Sequence, residues 1–447
     1  MKKIVRSRKQ LEFEKNAFVV EAIAKEIKAE WIQETLRECG RESIRQRLLP
    51  ASFIVWFVIL LGLFRRISYA NLMGKLNGSW WTRQHWPDDP PTTTAITQAR
   101  DRLGIEPMKK LYERCAREWT ASSSGLVFHE RRVFAFDGSS YKTPDTLEND
   151  RAFGRPGASR GRAAYPQMRA VTLTDVGTRI RQAERHGPYR NSEIGLARQL
   201  LPEIPLGSLV LLDRNFLAYD FLWDLHRCGS DFLLRLPVNI KPRLIQRLGW
   251  GDAIVEVQIP RHHRKERPDM ARTWILRMIS YCPEGCSETI RLFTTLLDPH
   301  VPKEELAMLY HDRWEEETVT DEFKTHLCAC ATVNRAVVFR SHKPERVEQE
   351  WYGLLIAHNA VRKTMVCAAS MVNLSPRRLS FTAAVERLRE ATYEMMRLRP
   401  ERLLERYQVL LQGIARAIVP DRRGRKNPRC VKIKMSKYPL KKIKDAA

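Results

Sequence analysis

The chain has 447 residues, 43% of them hydrophobic, which predicts two to four structural units with a buried core. Lys and Arg number 77 against 52 Asp and Glu, so the formal net charge is +25. Such a charge favours a nucleic-acid partner, because binding releases counterions condensed on the polyanion. The longest apolar run, residues 53–64, is shorter than the about 20 residues of a membrane span. A membrane protein is therefore excluded, and this run predicts a buried helix.

The first part of the chain has helical periodicity. From Trp31 to about Trp119, apolar residues recur at three- and four-residue spacing, with a Pro/Thr-rich break at 87–94. We predict a helical N-terminal DNA-binding domain over residues 1–120.

One short helix is predicted over residues 94–104, between a threonine cap at Thr94 and a glycine stop at Gly104. It would carry Gln98, Arg100 and Arg102. This helix could contact DNA or present an ordinary solvated face, and the sequence favours neither interpretation.

After residue 130 the pattern changes to strands and helices. Predicted strands lie at 132–136, 165–174, 178–183, 209–212 and 232–236, with a hairpin turn at 175–177. Predicted helices lie at 191–201, capped by Asn191, and at 218–226. This alternation indicates an α/β sheet.

Residues 238–298 return to strand-like runs before a long helix opens near Pro302. We therefore predict a catalytic α/β domain in two parts, 121–237 and 299–372, interrupted by a β-rich insertion at 238–298. A helical C-terminal region, 373–447, ends in a basic tail whose residues 422–444 include eleven Lys or Arg and no acid. Such a tail suits phosphate binding.

Two aspartates directly follow apolar strands. Asp137 comes after residues 133–136, and Asp213 comes after residues 209–212. A buried carboxylate needs a partner, and the carboxyl ends of strands are where open α/β sheets place their sites. The two aspartates could face one another, although each alone is better explained as a turn or helix-capping residue.

A group of polar residues recurs in the segment that follows Pro302. At about 100° per residue, Arg313, Glu317 and Lys324 fall within roughly 40° of one another on a helix, with Tyr310 on the same stripe. The stripe is either an active-site face or a surface row of ion pairs, and periodicity alone favours the ion pairs.

The spacing of Tyr310, Arg313, Glu317 and Lys324, with two, three and six residues between them, resembles the signature of the insertion sequence 4 family of transposases. The segments 136–138 and 212–214 resemble the family's other two acidic motifs. The resemblance covers about residues 30–440. It implies a ribonuclease-H-like fold that carries a β-rich insertion.

The resemblance also implies that Asp137, Asp213 and Glu317 are catalytic and bind two divalent cations, normally Mg²⁺ with Mn²⁺ as a substitute. Hard carboxylate oxygens suit these ions. Two such ions, about 4 Å apart, can activate water or a DNA 3′-hydroxyl and stabilise the leaving oxygen of a phosphodiester displacement.

The same signature implies how DNA is held. Arg313 and Lys324 would neutralise the phosphate near the scissile bond, and Tyr310 would hydrogen-bond it. Arg214 and Trp314 are weaker candidates for DNA contact.

These features predict cut-and-paste transposition of double-stranded DNA. The protein would bind terminal inverted repeats and target DNA, pair two ends as a dimer, and carry out cleavage and strand transfer. Trp274 in the insertion is a candidate for holding a flipped base. Two alternatives are a metal-dependent nuclease without joining activity and a non-catalytic end-binding repressor. Nine irregularly spaced cysteines predict reduced thiols in a cytoplasmic, nucleoid-associated protein.

Overall fold

The computed structural model describes residues 20–43, 48–65, 67–77, 79, 82, 86, 90–158, 161–265, 267, 269–282, 289–313, 319–327 and 339–420. The basic tail lies outside these residues. The architecture is mixed α/β, with one large sheet and many helices.

The α-helices fall at both ends of the chain and between the strands. Those before the first strand are α1 (Glu21–Ala24), α2 (Ala29–Glu38), α3 (Ala51–Leu63), α4 (Tyr69–Leu76), α5 (Thr93–Leu103) and α6 (Glu106–Ala121). Those between strands are α7 (Leu147–Phe153), α8 (Glu193–Arg198), α9 (Tyr219–Arg227) and α10 (Arg261–Arg264). Those after the last strand are α11 (Lys303–His311), α12 (Pro344–Met371), α13 (Phe381–Met395) and α14 (Pro400–Ala415).

The central helix of the bundle is α3, in which every residue from Ser52 to Leu63 is buried. It carries no charge and is apolar all round, so it can only be stable when other helices surround it. It packs on α12 at a close crossing, because a Cβ placed on Gly353 would lie 2.6 Å from the Val58 carbonyl oxygen. The predicted buried helix at 53–64 is thus present. Over the described ranges, no helix combines the length and the apolar character that crossing a membrane requires.

The helices from both ends of the chain form one hydrophobic core. Trp56 of α3 and Trp351 of α12 are among its largest fully buried side chains, and residues of α13 and α14 complete it. The predicted units 1–120 and 373–447 therefore share a core. The periodicity of each segment predicts its helices but does not show which partner their apolar faces meet.

The α5 helix differs from its prediction in two ways. It is capped by Thr92, whose Oγ1 accepts a hydrogen bond from the Ala95 amide at 3.2 Å. Arg100 is 1% exposed and donates to Gln349 Oε1 at 2.7 Å and to the Arg346 carbonyl at 2.9 Å. The Arg100 guanidinium therefore joins α5 to α12 and is not exposed for DNA contact, whereas neither interpretation of the helix as a whole is tested.

The described strands are β1 (Val127–Phe128), β2 (Arg131–Lys142), β3 (Gly157–Ala158), β4 (Gly161–Arg162), β5 (Gln167–Asp175), β6 (Arg181–Pro188), β7 (Leu209–Leu212), β8 (Asp231–Arg235), β9 (Arg243–Gly249), β10 (Asp252–Gln258), β11 (Thr273–Tyr281) and β12 (Ile290–Thr294). Ten of them form one sheet in the order β6-β5-β2-β7-β8-β12-β11-β10-β9, with β1 paired to β2. β2, β7 and β8 run parallel, and β5 and β6 extend the sheet as an antiparallel hairpin.

The strands of the 238–298 segment continue this same sheet. β12 pairs antiparallel with β8, with Phe293 opposite Leu234, and β11, β10 and β9 follow outward. Helices α8 and α9 cover one face of the sheet, and α11 covers the other. The predicted insertion therefore extends this sheet instead of forming a separate one.

Two local predictions were shifted by side-chain capping. The β5–β6 turn is longer than residues 175–177, because Asp175 Oδ1 accepts from the Thr178 amide at 2.7 Å and from its hydroxyl at 2.8 Å. The helix predicted over 191–201 begins at Glu193 instead, since Ser192 and not Asn191 caps it by accepting from the Gly195 amide at 3.0 Å. Short polar side chains next to one another compete for the cap, and sequence alone does not rank them.

Candidate active site

The structure brings Asp137 and Asp213 to the same level on neighbouring strands. β2 and β7 are parallel, with Val133 opposite Leu209 and Ala135 opposite Leu211. The same register, continued by two residues, places Asp137 opposite Asp213. Neighbouring strands lie about 4.8 Å apart, and alternate residues share a face. Both aspartates therefore extend from the sheet face that α11 covers.

Asp213 stands where β7 ends and a 3₁₀ turn, Arg214–Phe216, begins. Its carboxylate accepts hydrogen bonds from the Asn215 amide at 2.8 Å and from Asn215 Nδ2 at 3.1 Å. The capping role considered for an isolated strand-end aspartate is thus real. It fixes the carboxylate at the sheet edge beside Asp137, next to the exposed side chain of Arg214.

Asp137 keeps some solvent exposure but is closely surrounded by protein. Burial raises the pKa of Asp137, as does the charge of Asp213. A hydrogen bond from Thr320 Oγ1 and the positive charges of Arg181 and Lys324 act in the opposite direction. The carboxylate is thus in an environment where an added cation would be strongly favoured.

Tyr310 is 5% exposed and supports the strand end that precedes Asp213. Its hydroxyl donates to the Leu212 carbonyl at 3.2 Å, and burial raises the pKa of Tyr310 to about 12. The Arg313 guanidinium lies 5.8 Å from the centroid of the Tyr310 ring. Tyr310 and Arg313 therefore lie at the Asp213 side of the site.

Lys324 reaches the site from a different turn. Its Nζ lies 5.1 Å from the Tyr141 ring centroid, and its charge acts on Asp137 and on Glu193. The prediction of one α-helical face through residues 310–324 is wrong, because α11 ends at His311 and residues 322–327 form a π-helix. A π-turn contains more residues than an α-turn, so the 100° arithmetic does not apply across it.

Glu317 and Trp314 lie outside the described residues. Arg313 on one side contacts Tyr310, and Thr320 on the other donates to Asp137. The predicted roles of Glu317 and Trp314 therefore stay predictions.

Two charged residues at the site were not predicted from the sequence. Arg181 is 1% exposed, stacks 4.1 Å from the Phe323 ring centroid and places its charge near Asp137. Glu193, the first residue of α8, lies near both Asp137 and Asp213. Burial and the charges of the two aspartates raise the pKa of Glu193, whereas the charges of Arg169 and Lys324 act to lower it. No motif marks either residue, because β6 and α8 are brought to the site by tertiary packing.

Trp274 does not suit the role suggested for it. It is 9% exposed and packs edge-on against Trp223 at 5.3 Å and Phe232 at 5.7 Å between ring centroids. A flipped base cannot stack on a ring enclosed in the core, so this suggestion is wrong. Trp250, between β9 and β10, is 92% exposed.

The donor set fits a hard divalent cation but is incomplete within the described ranges. Asp137 and Asp213 supply carboxylate oxygens, which Mg²⁺ and Mn²⁺ prefer. Over those ranges, no three His, Cys, Asp or Glu side chains are placed to hold a metal ion by themselves.

Two family models match the chain. The model described as "Insertion element 4 transposase N-terminal" matches residues 18–113, and "Transposase DDE domain" matches residues 128–360, which is more than half of the chain. The resemblance seen in the acidic motifs is confirmed. Membership implies dependence on a divalent metal.

Curated relatives agree with these matches. The chain is 29% identical over 417 residues to "Transposase InsG for insertion sequence element IS4" of Escherichia coli (strain K12), covering 92% of this chain and 91% of that protein. It is 31% identical over 231 residues to "Putative transposase InsZ" of the same organism, covering 50% and 74%. A solved structure, "Cryo-EM structure of piggyBac transposase synaptic complex with hairpin DNA (SNHP)", gives a TM-score of 0.45 at 10% identity, covering 90% and 84%. That similarity is too low to support an inference.

The matches favour neither a nuclease that never joins nor a non-catalytic repressor. The chain belongs to the DDE transposases of the insertion sequence 4 family and is an insertion-sequence transposase that cleaves and transfers DNA strands.

Proposed function

We propose that Asp137, Asp213 and Glu317 together hold two Mg²⁺ ions, for which Mn²⁺ can substitute, and that these ions serve cut-and-paste transposition. The observation that carries the proposal is the parallel pairing of β2 and β7, which sets the two aspartates level on one sheet face. Helix α11 covers that face and leads into the segment of Glu317.

We infer a ribonuclease-H-like fold for the catalytic part. Its support is the strand order β6-β5-β2-β7-β8, in which an antiparallel hairpin flanks β2 and two parallel strands follow on the other side. The connections from β6 to β7 and from β7 to β8 carry helices α8 and α9, and the second connection joins two parallel neighbouring strands.

The chain's own residues would position the DNA. Arg313 lies beside Tyr310, and the charge of Lys324 acts on Asp137, so both can compensate the charge of a phosphodiester bound at the aspartate pair. Arg214 is exposed at the end of β7 and can contact the adjoining backbone phosphate. The Tyr310 hydroxyl donates its one hydrogen to the Leu212 carbonyl, so its proposed hydrogen bond to phosphate requires that hydrogen to turn from the carbonyl to the phosphate oxygen. Trp314, beside Arg313 in the sequence, is assigned to the same DNA surface.

The chemistry proposed is in-line displacement at phosphorus without a covalent protein intermediate. When bound, the two cations would supply Lewis-acid activation of the attacking oxygen and stabilisation of the leaving oxygen. Thr320 and the strand backbone hold Asp137 in place, and the Asn215 hydrogen bonds hold Asp213. These contacts fix both carboxylates before DNA arrives, which is the preorganisation that such a site needs.

We further propose that two copies assemble on DNA, one at each terminal inverted repeat, because excision and insertion act on both ends together. Sedimentation of the full chain with and without end-containing duplex tests this. A mass of two chains and two duplexes supports the proposal, and a single chain on each duplex contradicts it.

The test of the active site uses duplex DNA containing the element end, with Mg²⁺. We expect Asp137→Asn, Asp213→Asn and Glu317→Gln each to lower cleavage by at least about 1,000-fold, roughly 4 kcal/mol of transition-state stabilisation. Asp321→Asn is the matched control, because Asp321 lies in the same segment but is exposed. Activity of the three variants within a few-fold of this control would contradict the assignment. Joining of a pre-cleaved end to target DNA separates a transposase from a nuclease.

A further inference from the structure

A further carboxylate lies beside the two aspartates of the proposed metal site. Glu193 is the first residue of α8, and its carboxyl group rests on the backbone of Gly138, which directly follows Asp137 on β2. A Cβ placed on Gly138 would lie 2.5 Å from Glu193 Cδ and 2.7 Å from its Oε2. The lack of a side chain at residue 138 therefore makes room for this carboxylate at the aspartate pair.

Glu193 approaches the pair from the sheet face opposite α11. Helix α8 covers that face, and β7 ends at Leu212, whereas β2 continues to Lys142. Beyond the level of Asp213, no residue of β7 therefore stands beside Gly138. The Glu193 carboxylate reaches the open edge through this gap, where it lies near both Asp137 and Asp213.

Glu193 is not explained by its helix. A glutamate in the first helical turn often interacts with the free amides there. Here the Gly195 amide donates to Ser192 Oγ at 3.0 Å and the Leu196 amide to the Ser192 carbonyl at 3.1 Å. No hydrogen bond or ion pair joins the Glu193 carboxylate to any other residue within the described ranges.

The nearest positive charges are committed to other partners. Arg169 donates to the Asn191 carbonyl at 3.0 Å and lies 4.5 Å from the Tyr189 ring centroid. Lys324 lies over the Tyr141 ring at 5.1 Å. Glu193 is thus a half-buried carboxylate with two like charges nearby and no direct cation. Such an arrangement is costly unless a cation from solution joins it.

We propose that Glu193 is a further residue of the metal site, which holds the divalent cation between Asp137 and Asp213 through an intervening water molecule. This inference rests on the proposed function of the two aspartates. A water-mediated contact agrees with the spacing, because no three acids over the described ranges are close enough to share an ion directly. Mg²⁺ commonly keeps several waters and uses only one or two carboxylates directly. Four carboxylates would also balance the charge of two divalent cations before DNA binds.

The test measures Mn²⁺ binding to the full chain without DNA, by electron paramagnetic resonance of the free ion. We expect Glu193→Gln to weaken Mn²⁺ affinity by about 10- to 100-fold, the usual effect of losing an indirect metal contact. Asp213→Asn should weaken it further. Glu148→Gln is the matched control, because Glu148 is an exposed glutamate in the first turn of α7. It should bind Mn²⁺ like the wild type.

Gly138→Ala provides a second variant that keeps all the carboxylates. The new Cβ would displace the Glu193 carboxyl group, so Gly138→Ala should also weaken Mn²⁺ binding. This variant tests the proposal even if Glu193→Gln fails to fold. Wild-type Mn²⁺ affinity in either folded variant, with weaker binding in Asp213→Asn, overturns the role of Glu193 and leaves the proposed function standing. Wild-type affinity in Asp213→Asn as well would overturn both.

Discussion

Replacing the buried Glu322 should destabilise the protein more than replacing a residue of an exposed ion pair does. Glu322 is 3% exposed and accepts from Arg179 Nη1 at 2.7 Å and from Arg362 Nε at 2.9 Å, with Arg362 Nη2 bound as well. Burial alone would raise the pKa of Glu322, but Arg362 and Arg179 hold it well below the usual range of a glutamate. The residue joins the π-helical segment that carries Lys324 to the β5–β6 turn and to α12.

The magnitude follows from the two arginines. Arg179 is 4% exposed and Arg362 is fully buried, so Glu322→Gln removes a negative charge that two buried guanidinium groups contact. Loss of one partner from such a group costs about 3–5 kcal/mol. Glu394→Gln is the control, because Glu394 pairs with Arg406 on the surface with its side chain 54% exposed. We expect it to cost less than about 1 kcal/mol.

The assay is urea unfolding at pH 7 and at lower pH, followed by tryptophan fluorescence. A glutamate with a lowered folded-state pKa contributes stability above its unfolded pKa, so the wild-type advantage over Glu322→Gln should shrink as pH falls below about 4.3. A free energy of unfolding for Glu322→Gln within about 1 kcal/mol of wild type at pH 7 would refute this reasoning.

Three further changes give distinct outcomes. Gly353→Ala should lower the free energy of unfolding by about 1–3 kcal/mol, because its methyl group would meet a carbonyl of α3. The control Gly74→Ala, at an exposed position in α4, should raise the free energy of unfolding by up to about 1 kcal/mol. Equal effects of the two substitutions in urea unfolding would contradict the close helix crossing. Burial alone would lower the pKa of His186, but Glu184 outweighs it and raises the pKa to about 10. The charged pair therefore contributes stability that is complete below about pH 6.5 and is lost as pH rises through about 10. The free energy of unfolding of His186→Asn should be below that of wild type at low pH, and this difference should narrow over that interval. A difference that does not change with pH would argue against the pair. Thr320→Val should slow end cleavage by about 10- to 100-fold, because it removes the hydrogen-bond donor to Asp137. Thr320→Ser keeps the hydroxyl and should cleave at close to the wild-type rate. Equal cleavage rates for the two variants would show that the hydroxyl is dispensable.

Much of the site could be predicted because its signals are local. A carboxylate placed after an apolar strand marks a strand end, and this pattern located Asp137 and Asp213. The family was identified from a signature that is read along the chain, namely the spacing of Tyr310, Arg313, Glu317 and Lys324.

The remaining features depend on tertiary packing. Arg100 sits on a polar-looking helix, yet its partners are on α12, about 250 residues later in the chain. Glu193 at the start of α8 and Thr320 both lie beside the aspartates through tertiary packing. Whether an aromatic side chain is exposed also depends on tertiary packing, so the sequence of its strand does not show that Trp274 lies in the core.

The same limit applies to domain organisation. Helical segments were predicted over residues 31–119 and in the C-terminal region from residue 373, and helices are present in both. Their common core around α3 was not, because a uniformly apolar helix shows that it is buried without showing what buries it.

The central claim is that Asp137, Asp213 and Glu317 surround one metal site. Fe²⁺ bound in place of Mg²⁺, with ascorbate and peroxide, generates hydroxyl radicals that cut the polypeptide close to the ion, and mass spectrometry locates the cuts. We expect the wild-type chain to be cut near residues 137, 213 and 317 together, with all three cuts suppressed in Asp137→Asn. Cuts near the two aspartates but not near residue 317, or cuts that persist unchanged in Asp137→Asn, would contradict the account.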